Sequence, residues 1–168
     1  MNVRLERGDD RAAAIEVERA AFGSDAEVAI VVGVRDEDGS FALVAEEDGR
    51  LVGHVQLSRA WVGSTAILAL GPIGVLPERQ GLGIGRALIE GAIGEARSRG
   101  EGAMILLGDP RLYPRFGFQP ASRYGLQNPF AGVQADGSVI AEEDFMILPL
   151  DDRISAPAGQ VRWHPAFG

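Results

Sequence analysis

The chain has 168 residues, 46% of them hydrophobic, and 24 acidic against 16 basic side chains for a net charge of −8. That length suits one α/β domain burying roughly 70% of its unfolded surface, and the acidic balance argues against a nucleic-acid partner, since phosphate backbones need clustered Lys and Arg. With no cysteine and only His54 and His164, disulfides, thiolate zinc sites and a Cys acyl-enzyme are excluded and no metal is expected. No apolar run reaches the ~18 residues of a membrane span and the charged start lacks a signal core, so a cytoplasmic enzyme with no membrane partner is expected.

Val3 to Leu5 reads as a short first strand, and Asp9 or Asp10 as the cap of a helix running to about Phe22. Ser24 with Glu27 three residues on is a capping-box pattern opening a second helix through Arg35. Phe41 to Glu46 and Arg50 to Trp61 read as strands joined by Asp48-Gly49, a strong hairpin signal. Ala66 to Val75 is continuously apolar, as a strand covered on both faces should be, and Pro72 predicts a bulge or splay. A third helix, Arg86 to Arg99, stops at Gly100; Ala103 to Leu107 is a strand and Pro110 to Phe116 a short helical turn. Phe118 to Ala121 and Asp144 to Leu150 form a closing antiparallel pair, with a long loop, Ser122 to Glu142, between them.

Between the apolar strand and the third helix lies Gln80-Gly81-Leu82-Gly83-Ile84-Gly85, followed by Arg86. Glycines there let bare backbone approach a ligand, and the helix start offers unpaired N–H groups and a positive dipole end, a site suited to phosphate or pyrophosphate. The spacing fails the P-loop, because Gly85 is followed by Arg86-Ala87, and it fails the dinucleotide fingerprint at its last glycine. What fits is Gln/Arg-x-x-Gly-x-Gly/Ala.

This pattern resembles the acetyl-coenzyme A pyrophosphate loop of the GCN5-related N-acetyltransferase (GNAT) family. A second segment strengthens the resemblance: Gly108-Asp109-Pro110-Arg111-Leu112-Tyr113-Pro114-Arg115-Phe116-Gly117-Phe118 is similar to the family segment that carries a tyrosine beside the cofactor sulfur. Asp25-Ala26-Glu27 and the aromatic tail extend it to a subgroup of bacterial acetyltransferases. The resemblance implies a single-domain α/β fold over residues 1–168, with a mixed, mostly antiparallel sheet flanked by helices and splayed at the acetyl-CoA site. It implies acetyl transfer from acetyl-CoA to a primary amine, small molecule or peptide, by direct transfer. It assigns the pyrophosphate to Gln80, Gly81, Leu82, Gly83, Ile84 and Gly85 with Arg86 nearby, and the pantetheine arm to the backbone of Val75.

Amine acetylation constrains the remaining roles. A protonated amine has no free lone pair, so a base must take a proton, and the departing thiolate needs a donor. Tyr113 matches the family's tyrosine by motif position and is the expected general acid. Glu27 is the candidate base, with His54 or water as the alternatives; the other reading of Glu27 is a capping residue for the helix begun by Ser24, that of His54 a satisfied, partly buried histidine, and Asp109 orders the turn before Tyr113. An acyl-CoA-binding sensor of the same fold is the alternative to an enzyme. Trp163, His164, Pro165 and Phe167 either fold over the acceptor end or pack on a second subunit of a homodimer, and both stay open.

Overall fold

The computed structural model describes residues 1–156 and 158–168. Its contacts fall into two compact units: Met1–Arg59, Leu70–Arg99 and His164–Gly168 form the first, and Ala60–Ala69 with Gly100–Trp163 the second. The fold is α/β, with a sheet that is antiparallel except where β4 meets β5, and three α-helices among the described residues.

In the first unit, strands β1 (Asn2–Leu5), β2 (Phe41–Glu47), β3 (Arg50–Val62) and β4 (Thr65–Val75) lie in that order, β3 and β4 running on into the second unit. Asp48 and Gly49 both take positive φ, 48° and 79°, the twist-matched two-residue hairpin that their sequence predicts. Helices α1 (Arg11–Phe22), α2 (Ala26–Val34) and α3 (Ile84–Ser98) complete the unit. Successive residues of a strand face opposite ways, and β3 uses this to separate two layers. On one face a Cβ at Gly53 would meet Leu88 and Ile84 of α3 at 2.8 and 2.9 Å; on the other, His54 meets Glu18 of α1. The absent side chain at Gly53 is what lets α3 lie so close to the sheet.

In the second unit, β9 (Phe145–Pro149) lies between β5 (Ala103–Leu107) and β6 (Gln119–Pro120), antiparallel to both. The β4–β5 ladder is confined to Leu68↔Met104 and Ala69↔Ile105, after which β4 runs on to Val75. The core here is Met104, Ile105, Leu106, Met146 and Ile147, all buried. The stretch 122–142, read as a loop, contains a small hairpin, β7 (Gly132–Val133) with β8 (Val139–Ile140). Two-residue strands carry too little alternation to register in the sequence. Asn128 pins its base by donating to the Ala141 carbonyl at 2.9 Å and accepting from Phe130 N–H at 3.0 Å. Strand β10 (Val161–Arg162) pairs with the end of β3 at Trp61 and Val62, and Trp163 is buried edge-on to Phe130, 5.7 Å between centroids. In the first unit a Cβ at Gly33 of α2 would lie 2.8 Å from Ala166, so the tail's last turn packs on that helix. No helix among the described residues is long and apolar enough to cross a membrane.

Candidate active site

The glycine turn forms as its spacing predicts. Gly81 and Gly83 hold φ of 76° and 85°, the left-handed region in which a Cβ is strained, and Gly83 is the residue that caps α3. No atom lies within 4 Å of where a Cβ at Gly81 or Gly83 would sit, so the space above the turn is open. The first helical bond runs from Ala87 N–H to the Gly83 carbonyl at 3.0 Å, leaving the N–H groups of Ile84, Gly85 and Arg86 ahead of it, at the positive end of the dipole. The Ile84 side chain is buried and anchors the turn, whereas Leu82 is 63% exposed. Gln80 donates through Nε2 to the Val75 carbonyl at 3.1 Å, tying the turn to the end of β4. The structure therefore brings Val75 and Gln80 through Arg86 together. Arg86 is paired with Glu90 at 2.8 Å and Arg79 with Glu47 at 3.1 Å, both at the surface.

Tyr113 lies in the second unit, as the first residue of a short 3-10 turn, Tyr113–Phe116. It is 7% exposed and sits edge-on to Phe118, with 5.8 Å between centroids. Gly108 makes this possible: a Cβ there would lie 2.3 Å from the Tyr113 ring. Burial, and then the charge of Asp109, push the phenol above its ordinary pKa, which keeps it protonated. Asp109 accepts from Arg111 N–H at 2.8 Å and from its guanidinium, ordering the turn, and this pairing holds its carboxyl down at about 2.

Glu27, half-buried near the start of α2, does not form a capping box. The Ser24 hydroxyl donates to Glu27 Oε2 at 2.5 Å and accepts from Ala26 N–H at 3.4 Å, and Asp25 occupies the cap position, so the reciprocal side-chain-to-backbone pair of a capping box is absent. His54 is fully buried rather than partly so, and its Nδ1 shares a 2.6 Å hydrogen bond with Oε1 of Glu18, itself 0% exposed. Sequence reasoning missed Glu18. The signal is a carboxylate on the apolar side of α1, next to Val17 and one turn from Ala14, both buried. Its Oε2 makes no close hydrogen bond and faces Gly74 of β4, where a Cβ would sit 2.8 Å away. Desolvation raises the Glu18 carboxyl pKa, the hydrogen bond from His54 opposes the shift, and the charge of Glu27 adds to it, which puts Glu27 within electrostatic reach of Glu18.

An open, positive-φ turn at a helix start, following a strand whose ladder ends early, has the geometry that suits a phosphate-bearing ligand. The profile of the acetyltransferase (GNAT) family matches residues 10–118, and the chain belongs to that family of acetyl-CoA-dependent enzymes. It is 31% identical to the uncharacterized N-acetyltransferase YhbS of Escherichia coli K12, over 99% of this chain and 98% of that protein. Among solved structures it is similar to a GNAT family acetyltransferase from Brucella melitensis in complex with acetyl-CoA (31% identity, 99% and 97% of the two chains, TM-score 0.76). It is also similar to E. coli YhbS in complex with CoA (28% identity, 99% and 91%, TM-score 0.84).

Proposed function

We propose that the whole chain acts as one cytoplasmic acetyltransferase domain that moves the acetyl group of acetyl-CoA directly to a primary amine. The observation that carries this reading is the open, positive-φ turn at Gly81 and Gly83 ahead of α3. In this reading the N–H groups of that turn hold the pyrophosphate, the Val75 backbone pairs with the pantetheine arm, Glu27 accepts the amine proton, and Tyr113 protonates the departing thiolate. Glu27 takes the first proton from the ammonium, the freed lone pair attacks the thioester carbonyl, the C–S bond breaks as the C–N bond is completed, and the Tyr113 oxygen, having protonated the sulfur, takes the second proton from nitrogen. The acidic chain, at −8, suits a cationic acceptor.

Incubation with an amine library and acetyl-CoA tests the reading, through release of free CoA and mass change of the acceptor. All 16 basic residues of the chain are arginine, so acetyl found on a lysine side chain comes from the acceptor and not from the enzyme. Acetyl-CoA binding with no turnover on any amine favours the sensor reading instead.

The cofactor turn makes a direct prediction. A β-branched side chain at Gly83 both strains φ and fills the open space, so Gly83→Val weakens acetyl-CoA binding at least tenfold, about 1.4 kcal/mol or more. Calorimetry on the folded variant measures it, and unchanged affinity removes the turn from the site. Glu27→Gln lowers kcat/KM at least tenfold while the melting temperature barely moves, because the glutamine amide oxygen still accepts from the Ser24 hydroxyl. Full activity in this variant takes the base role away from Glu27.

A further inference from the structure

Away from the cofactor turn, the first unit holds a cavity of about 540 Å³ lined by Arg7, Arg11, Arg35 and Arg99, with Glu6 as the one carboxylate among its lining residues. In a chain of net charge −8, that is a local reversal of sign. The elements converge there for structural reasons: the end of β1, the residue after α2, the first residues of β2, and the residue after α3.

The guanidiniums are incompletely used. Arg7 is exposed and makes no side-chain ion pair among the described residues. Arg35 is nearly buried; one terminal nitrogen reaches Glu6 Oε1 at 3.1 Å, while its Nε has no partner. Arg11 pairs with Asp36, which is 72% exposed, so that bond is open to solvent competition. Arg99 bonds Glu95 through Nε and lays its guanidinium over the Phe41 ring, 4.0 Å from the centroid. The Ser40 hydroxyl in the same wall is also unpartnered. Gln56 is locked by donating to the Phe41 and Leu57 carbonyls, which leaves its Oε1 unused. Planar guanidiniums with spare N–H groups match the oxygens of a phosphate or carboxylate.

We propose that this cavity is a second binding site, for a small oxyanion, a phosphate or a carboxylate, which recruits Arg7 and draws Arg35 away from Glu6. The ligand lies outside the acetyl-transfer chemistry. The Glu6 oxygen that Arg35 would give up lies 3.8 Å from His54 Nε2, so occupancy also alters the charge facing the buried His54–Glu18 pair.

The test is an NMR titration of the full chain with inorganic phosphate and, separately, malonate, at constant ionic strength. Phosphate still carries a proton at neutral pH that it can donate to Gln56 Oε1. The expected result is a saturable shift of the Arg35 Nε–H and Gln56 side-chain amide signals, weakened at least fivefold in Arg7→Gln and in Arg35→Gln. The anion giving the tighter saturation names the ligand class. Shifts confined to residues 80–86 place the anion on the cofactor turn alone and overturn the proposal. So does unchanged affinity in folded Arg7→Gln, which decides the matter even if Arg35→Gln does not fold.

Discussion

Under the proposed general-acid role, Tyr113→Phe lowers kcat about 10²-fold and leaves acetyl-CoA affinity nearly unchanged, because it removes only the proton given to the thiolate. Phenylalanine keeps the ring that packs edge-on to Phe118 and against Gly108, so the second unit keeps its packing. The direction of the phenol's pKa supports a donor: burial first, and the Asp109 carboxylate second, hold the proton on. An acid must be protonated to act, so activity falls on the alkaline side as pH rises through the raised value, and the phenylalanine variant lacks that limb. Pre-steady-state measurement of CoA release isolates the chemical step. A variant with normal chemistry and the same alkaline limb makes Tyr113 a packing residue.

The parts legible in the sequence are those whose chemistry is local. A glycine that must take positive φ leaves its mark at the position itself, so the backbone geometry of the glycine turn at Gly81 and Gly83 and of the Asp48-Gly49 hairpin was readable to the residue. The strands and the long helices follow from apolar runs and 3.6-residue spacing. What was not legible depends on partners distant in the chain. Ser24 and Glu27 have capping-box spacing, yet the approach of the chain before α2 leaves Asp25 at the cap and Ser24 one residue too early, donating to Glu27. The β7–β8 hairpin is held by Asn128 bonding to Ala141, which no period reveals. Glu18 and His54 are 36 residues apart, and each alone reads as an ordinary polar residue; only the packing of α1 on β3 makes them a buried pair.

That pair carries the largest expected effect on stability. Glu18→Ala destabilises the fold by about 1–3 kcal/mol for the buried imidazole nitrogen it leaves without a partner, with the cavity opened beside Gly74 adding to that cost. Glu18→Gln costs much less, since an amide of the same length still bonds His54 Nδ1. Desolvation is the dominant influence on the carboxyl and holds it above its ordinary 4.5 in the folded state, with the His54 bond acting in the opposite sense and weaker. The folded protein thus keeps a proton that the unfolded chain releases. The contribution is full below the ordinary value and is lost as pH rises through the folded one, so wild type loses stability relative to Glu18→Gln with rising pH. Urea denaturation of the three proteins across that range measures both effects. Glu18 faces Gly74, the residue before Val75, so under the proposed pairing of Val75 with the pantetheine arm the alanine variant also weakens acetyl-CoA binding by loosening that strand. A folded Glu18→Ala protein as stable as wild type, or a glutamine variant as unstable as the alanine one, shows that the pair does not fix β4 against α1 in the way its burial and 2.6 Å bond require.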